Sequence, residues 1–248
     1  MHGDRMGIFL RRGILLSLIA GCCAACSRGE VRQSTPSALR AASATRSGAG
    51  ARPEAASATF PIPKAAVDAV LNPSGLPAYE GLTGSVEGTV YVKGPAAPDV
   101  PVDTTTCPAA VDTYGKLFRS GPSTKADGTR VLGDAVVVVV GYSGFYIPER
   151  EPAARVTIGV NCGYPTRSIA LTYGQRLEVS NASARLFAPI IDDEFSSAIM
   201  MAPPHEAGDP VRIYPRKPGY SSMSDRMQPF VHEDLFVFRQ PLHAVTGT

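Results

Sequence analysis

Glycine and proline residues interrupt this chain at intervals of roughly ten residues, and this spacing limits the fold more than any other feature. The stretch from Cys162 to Asn181 is typical, because two segments of alternating apolar and polar residues flank the pair Gly174-Gln175. Such alternation places the apolar side chains on one face of a β-strand. The pattern therefore predicts an all-β protein, and specifically an antiparallel β-sandwich.

The first 21 residues have the features of a bacterial lipoprotein signal peptide. Several arginine residues precede the apolar segment Gly13–Ala20, which is too short to span a bilayer core of about 30 Å. Small residues then precede Cys22, and this stretch resembles the lipobox, in which the cysteine is acylated. We therefore expect lipidation at Cys22. The alternatives are lipidation at Cys26 and ordinary cleavage after Ala25.

A lipidated cysteine determines where the protein is found. Stable membrane anchoring needs more than one acyl chain, and a lipoprotein cysteine carries more than one. The sequence thus predicts a cell-envelope protein whose N-terminal anchor binds the membrane. No acidic residue follows Cys22 directly, which favours the outer membrane, with the protein facing the periplasm or the cell surface.

Composition divides the mature chain into two parts. Residues 22–60 are rich in Ser, Ala and Arg and almost free of large apolar residues, so we expect a disordered tether. Residues 61–248 are enough for one domain with a core. The net charge is +2 and the basic residues are scattered, so no nucleic-acid partner is expected.

One helix and a series of strands are predicted within residues 61–248. Pro63–Leu71 has a proline in its first turn, helical apolar spacing and a stop signal after it. Gly84–Lys93 alternates and predicts a half-buried strand. The valine run Val136–Val140 predicts a central strand buried on both faces. Further strands are predicted at Arg155–Val160, Ile169–Tyr173, Leu177–Val179, Leu186–Ile191, Ser197–Met201, Val211–Tyr214 and Leu235–Phe238.

Two cysteines lie within the predicted domain, on either side of the valine run. In an oxidising compartment, Cys107 and Cys162 are expected to form a disulfide. Closing a loop of about 55 residues would stabilise the fold by about 2–4 kcal/mol. The alternative is that the Cys162 thiolate is a copper ligand, but copper thiolates of this kind are accompanied by two histidines and a weak axial methionine.

Several short segments resemble cupredoxin-like secreted proteins, including plastocyanin and the copper-domain proteins associated with methylamine utilisation. The tail Asp234–Gly247 resembles the segment that joins such a domain to a carboxypeptidase-regulatory-like β-domain. The resemblance implies a cupredoxin-like Greek key. The segments that carry it are Gly84–Val90, Cys107, Val136–Val140, Cys162–Pro165 and Gly174–Asn181.

The ligands that this resemblance implies are missing. The family places a histidine after the segment that ends here at Asn181, whereas residues 182–189 contain none. The family also places cysteine, histidine and methionine together near the last strand. The matching stretch, Tyr220–Met227, contains methionine only. The preferred interpretation is therefore a domain with no cofactor.

Copper remains the alternative cofactor because sulfur and imidazole side chains gather in the last fifty residues, and both suit Cu(I). Methionines that fill core gaps and histidines exposed in loops explain the same pattern without a metal. The alternative copper ligands are Met200, Met201, His205, Met223, Met227 and His232.

Other chemistry has weaker support. The acidic run Asp192–Glu194 suits a hard cation such as Ca²⁺ but is also typical of a solvated loop. No nucleophile motif occurs, so we expect no enzymatic activity. Tyr142, Phe145, Tyr146 and Tyr164 are candidates for an aromatic patch that binds a glycan or protein. The sequence thus favours a lipid-anchored, non-catalytic module that is structural or binds an envelope protein.

Overall fold

The structure is a computed structural model that describes residues 61–123, 126–194 and 199–248. The signal peptide, Cys22 and the tether therefore lie outside the described residues and stay predictions. Two short helices and twelve strands form within the described ranges. They are α1 Lys64–Leu71, β1 Tyr91–Val92, α2 Val111–Tyr114, β2 Ser120–Ser123, β3 Arg130–Leu132, β4 Val136–Val138, β5 Ala153–Ile158, β6 Ser168–Thr172, β7 Arg176–Asn181, β8 Pro189–Ile191, β9 Val211–Ile213, β10 Gly219–Asp225, β11 His232–Phe238 and β12 His243–Val245.

Two sheets enclose the core. One has four strands in the order β6-β11-β10-β8, and the other has three in the order β5-β7-β9. Alternate side chains of both sheets enter a single hydrophobic cluster, so the predicted β-sandwich class is confirmed. The fully buried strand residues of this cluster include Ile158, Leu171, Leu177, Val179, Met223 and Leu235.

The sheets are mixed, whereas the sequence predicted an antiparallel arrangement. Strand β11 runs parallel to β6, with Leu235 opposite Ile169, and β5 runs parallel to β7, with Val156 opposite Val179. The other pairings within the two sheets are antiparallel. Local alternation reveals which residues face the core but not the direction of the neighbouring strand, because a strand of either direction has the same period.

The N-terminal helix is confirmed, with Pro63 as its N-cap residue. Val67 packs against the core beside Gly174, whose φ of +97° suits glycine. A Cβ atom on that glycine would lie 2.5 Å from Val67 Cγ1. A second helix, α2, spans Val111–Tyr114 and was not predicted from the sequence. No helix within the described ranges is long and apolar enough to cross a membrane.

The valine run is not a central strand, so that prediction was wrong. Strand β4 pairs with β12 in a separate two-stranded sheet, and Val140 beyond it is 81% exposed. A run of β-branched residues favours extended backbone without specifying how many faces are covered. The burial of this run therefore depends on tertiary contacts that the sequence pattern does not contain.

The predicted strand Gly84–Lys93 is also much shorter in the structure. Only Tyr91–Val92 forms β1, which pairs with β3, while Val86 is 95% exposed. By contrast, β10 was not predicted, although it lies inside the four-stranded sheet. Its serines lower its apolar content, so the sequence pattern did not predict this strand. The segment predicted as Ser197–Met201 lies partly outside the described residues.

Candidate functional site

The six alternative copper ligands lie in three different environments. Met223 is fully buried on β10, and Met200 is partly buried against the core. The fully buried Met223 and the exposed candidates therefore have different surroundings. The remaining candidates are exposed, and they are Met201, His205, Met227 and His232.

The sheet itself separates Met223 from His232. Met223 is opposite Glu233 in the β10–β11 pairing, and Ser224 is opposite His232. Successive side chains on a strand point to opposite faces, so Met223 enters the core while His232 faces outward. One metal ion cannot contact both side chains without displacing the backbone between them.

The connection between β10 and β11 is closed by a buried carboxylate. Asp225 accepts backbone N–H groups from Ala188 at 2.7 Å, Met227 at 2.8 Å and Gln228 at 2.9 Å. Burial raises the pKa of Asp225, and these three donors act in the opposite direction. The carboxylate thus holds the loop and fastens it to the segment that leads into β8.

Gln228 closes the same loop from its other end. Its side-chain amide donates to the Leu186 carbonyl at 3.0 Å and accepts from the Thr106 hydroxyl at 2.9 Å. Both amide atoms therefore have partners within the protein, and Thr106 links the loop to the segment that carries Cys107. Through these hydrogen bonds the loop links three parts of the chain.

These residues do not fit copper. The resemblance places cysteine, histidine and methionine ligands in a stretch that corresponds here to Tyr220–Met227. In this stretch Met223 is buried in the core, Met227 is exposed and Asp225 is engaged in structural hydrogen bonds. Copper in such domains prefers thiolate, thioether and imidazole donors over carboxylate and amide oxygens. Among the described residues, no group of three or more His, Cys, Asp or Glu side chains is placed to hold a metal.

The predicted disulfide between Cys107 and Cys162 is present. Their Cα atoms lie 6.4 Å apart, within the range of about 4.4–6.8 Å usual for a disulfide. Cys162 is buried in the core and Cys107 packs against it. The bridge joins the segment before α2 to the turn after β5, and it leaves no Cys162 thiolate for a metal.

A buried acidic residue lies beneath α2. Glu233 has no exposed surface, and its carboxyl group accepts a hydrogen bond of 2.5 Å from the Tyr114 hydroxyl. Desolvation raises the pKa of Glu233 to about 8, so this carboxyl group is mostly protonated at neutral pH. Within the described chain, no hydrogen-bond partner lies near Glu233 Oε2 or the buried Tyr164 hydroxyl. The periodicity of the sequence did not predict a charged residue at this buried position.

The outer face of the four-stranded sheet has a polar half. Asp192 accepts hydrogen bonds from Ser222 at 2.8 Å and from Ser224. The Ser222 oxygen lies 3.4 Å from His232 Nδ1. Next along the sheet, Asp234 accepts the Tyr220 hydroxyl at 2.8 Å. These side chains belong to neighbouring strands and form a continuous polar surface.

The aromatic half of the outer face adjoins Asp234. The Tyr220 and Phe236 ring centroids lie 5.5 Å apart, and the Phe236 and Phe238 rings are nearly parallel at 6.3 Å. His243 stacks on Phe238 at 5.0 Å. Burial lowers the pKa of His243 and thus favours the neutral imidazole. Tyr220 is the ring with the largest solvent exposure in this row, at 57%.

A cleft of about 350 Å³ borders the polar half. His232, Asp234 and Ser168 line it on the side of the sheet, and Phe118 lines the opposite side. Arg167 also lines the cleft, but its guanidinium donates to the carbonyls of residues 116 and 117 and contacts Asp134. The cleft therefore extends the outer face without adding an unpaired cation.

The two other predicted surfaces give mixed results. Tyr142 stacks on Phe145 at 5.4 Å, but Tyr164 is buried and cannot belong to an aromatic patch. In the acidic run, Asp192 binds two serines and Asp193 forms an ion pair with Lys217. These carboxylates bind different partners and do not converge on a common centre.

Comparisons with known proteins give a weak structural likeness. No protein-family model matches the chain, and no curated protein matches it. Amicyanin from Paracoccus versutus (Thiobacillus versutus) is 15% identical, with 42% of this chain and 98% of that chain covered and a TM-score of 0.30. A reduced Cu(I) form of an amicyanin mutant at pH 4 is 16% identical, with coverages of 36% and 85% and a TM-score of 0.29.

A mutant amicyanin in the reduced state gives a similar result, with 14% identity, coverages of 42% and 99%, and a TM-score of 0.29. With TM-scores this low, no ligand and no activity can be transferred to this chain. The β-sandwich assignment therefore rests on the strand pairings and the shared core.

Proposed function

We propose that this protein is a lipid-anchored component of the bacterial cell envelope, whose cupredoxin-like β-sandwich is a non-catalytic interaction module without copper. The β10–β11 loop carries this proposal. Asp225 lies within Tyr220–Met227, the stretch where the resembled family places its ligands, and it closes the loop together with Gln228. In this proposal the loop has a structural role in place of metal binding.

The arrangement of serine, histidine and aspartate on the outer face supports a non-catalytic role. Ser222 donates to Asp192 at 2.8 Å, whereas the contact of its oxygen with His232 Nδ1 is longer, at 3.4 Å. Nucleophilic catalysis requires a base that takes the hydroxyl proton and a third group that orients the base. A carboxylate that binds the hydroxyl directly leaves the imidazole without that role.

Metal analysis tests the absence of copper. The full-length protein is isolated from the envelope of producing cells grown with copper, and the metal is quantified by mass spectrometry. We expect far less than one copper per chain, because carboxylate and amide oxygens already in hydrogen bonds are poor copper ligands. Near-stoichiometric copper that is lost in Met223→Leu or His232→Ala would overturn the proposal in favour of a methionine–histidine copper site.

Fatty-acid labelling tests the anchor. Cells that express the full chain are grown with radiolabelled palmitate, and the label on the protein is compared between Cys22→Ser and Cys26→Ser. We expect the label and the detergent-phase partitioning to disappear only in Cys22→Ser, because acyl chains supply the membrane affinity. Loss of the label in Cys26→Ser would contradict anchoring through Cys22. The absence of label from both variants would contradict it as well.

A further inference from the structure

We propose that the outer face of the four-stranded sheet binds a hydroxyl-rich glycan chain that carries no negative charge. This inference names a partner for the proposed interaction module and therefore rests on the proposed function. It concerns the polar half, with Asp192 and Asp234, and the aromatic half that begins at Tyr220. Both halves lie on one continuous sheet surface.

The first argument is the chemistry of the outward positions. On β10 these positions are Tyr220, Ser222 and Ser224, and on β11 they begin with His232 and Asp234. Hydroxyl, imidazole and carboxylate groups exchange hydrogen bonds with sugar hydroxyls, while an aromatic ring accepts the apolar side of a sugar ring. The face thus combines the two kinds of contact that a glycan needs.

The second argument is that the polar groups are already oriented. Both oxygens of Asp192 accept serine hydroxyls, and Asp234 holds the Tyr220 hydroxyl at 2.8 Å. Each carboxylate oxygen has more than one lone pair, so these carboxylates keep acceptor capacity for a ligand hydroxyl. Side chains fixed by neighbours lose less conformational entropy when a ligand binds.

The third argument is charge. No lysine or arginine occupies an outward position of β10 or β11, whereas the two aspartates are present. Arginines gather instead on the other sheet, where Arg155, Arg176 and Arg212 surround Glu178. Nucleic acids and anionic lipid headgroups require cations at their binding surface. The acidic outer face therefore excludes polyanions and suits neutral or amino sugars.

The fourth argument is shape. Neighbouring strands are about 4.8 Å apart and alternate residues along a strand about 6.8 Å apart, so β10 and β11 present a regular, shallow grid. The outward side chains Ser168 and Thr172 of β6 are buried and lie outside this grid. A linear glycan can lie across several strands, with one ring on Tyr220 and the next beside Asp234. The bordering cleft of about 350 Å³ extends this track past His232. A protein strand would instead need an open sheet edge, and β10 and β11 are internal strands.

Calorimetric titration of the full mature chain tests the inference. The probes are the hexamer of β-1,4-linked N-acetylglucosamine, the hexamer of β-1,4-linked glucose, and the anionic hexamer of galacturonic acid. We expect at least one neutral hexamer to bind with a Kd of about 1 mM or tighter, and the anionic hexamer to bind at least tenfold more weakly.

Two variants locate the binding surface. Tyr220→Ala is expected to weaken binding of the neutral hexamer about fivefold or more, because it removes the most exposed ring of the face. Asp234→Asn keeps the shape of the side chain and is expected to weaken it about threefold or more. Tyr91→Ala is the matched control, since Tyr91 is 58% exposed on β1, which belongs to a different sheet, and its loss should leave the affinity unchanged.

Circular dichroism first establishes that each variant is folded. The inference is overturned if neither neutral hexamer binds, if the anionic hexamer binds as tightly, or if Tyr220→Ala and Tyr91→Ala have the same affinity. None of these results bears on the copper content or the lipid label, so the proposed function is tested by separate measurements.

Discussion

At the scale of single residues, Glu233 is the most unusual position of the molecule. It is a carboxyl group with no exposed surface, and its hydrogen bond to Tyr114 joins α2 to the four-stranded sheet. Desolvation is the largest cause of the raised pKa of Glu233. The negative charge of Asp134 also raises this pKa, whereas the positive charges of Arg167 and Arg119 lower it. The buried tyrosine Tyr164 has its pKa raised by the same environment.

The raised pKa predicts that Glu233 lowers stability as pH increases. An unfolded glutamate loses its proton near pH 4.5 and the folded one near pH 8, so the folded state binds the extra proton between these values. The free energy of unfolding should therefore fall by about 3–5 kcal/mol from this group between pH 5 and pH 8.5. Glu233→Gln should remove most of that decrease, as measured by urea denaturation at a series of pH values.

Glu178→Gln is the informative control, because its shift has the opposite sign. Hydrogen bonds from Arg176, and then the positive charges around it, lower the pKa of Glu178. Its stabilisation is present above the unfolded pKa and disappears as pH falls through the folded one. Glu178→Gln should thus flatten the rise in stability below about pH 4.5, whereas Glu233→Gln should flatten the fall in stability above it. An unchanged slope in Glu233→Gln would show that Glu233 is ionised in the folded protein at neutral pH.

At the scale of elements, the disulfide holds α2 over the sheet. The segment between Cys107 and Tyr114 is fixed at one end by the bridge and at the other by the hydrogen bond to Glu233. Since α2 has only four residues, it is too short to be stable alone and depends on these attachments. The same bridge places Thr106 where its hydroxyl meets Gln228 of the β10–β11 loop.

Removal of the bridge should therefore destabilise the domain. The double variant Cys107→Ala with Cys162→Ala is expected to lower the free energy of unfolding by about 2–4 kcal/mol, because 55 residues separate the two cysteines. Urea denaturation measures the loss, and peptide mapping without reductant shows the linked fragments. Cys23→Ala is the control for loss of a cysteine outside the bridge. Equal midpoints for the double variant and the native chain would contradict a stabilising role.

At the scale of the whole molecule, the sandwich core is formed within residues 61–248. The sequence assigns residues 22–60 to a tether whose composition cannot support a core. We predict that a chain of residues 61–248 unfolds at the same urea midpoint and with the same slope as the chain that begins at Cys22. A lower midpoint for the shorter chain would show that the tether stabilises the sandwich.

The whole molecule also shows which structural features a local sequence pattern can predict. Alternation within Ile169–Tyr173 and Leu177–Val179 correctly predicted β6 and β7, because each strand has one face in the core. The continuous valine run Val136–Val140 wrongly predicted a strand buried on both faces, because exposure depends on whether another layer covers the strand. Alternation also failed to predict β10, because serines flank Met223 and the apolar face of this strand is narrow.

The sequence by itself determined the strand-rich class and the helix α1, because these follow from local periodicity, and it favoured the pairing of Cys107 with Cys162 over a copper thiolate at Cys162. Only the tertiary structure decided which strands run parallel, which carboxyl group is buried, and which side of the sheet each histidine and methionine occupies. These features depend on strand register and on which strands are neighbours, and both involve residues far apart in the chain. For this reason the six copper candidates are close in sequence, whereas Met223 and His232 lie on opposite faces of one sheet.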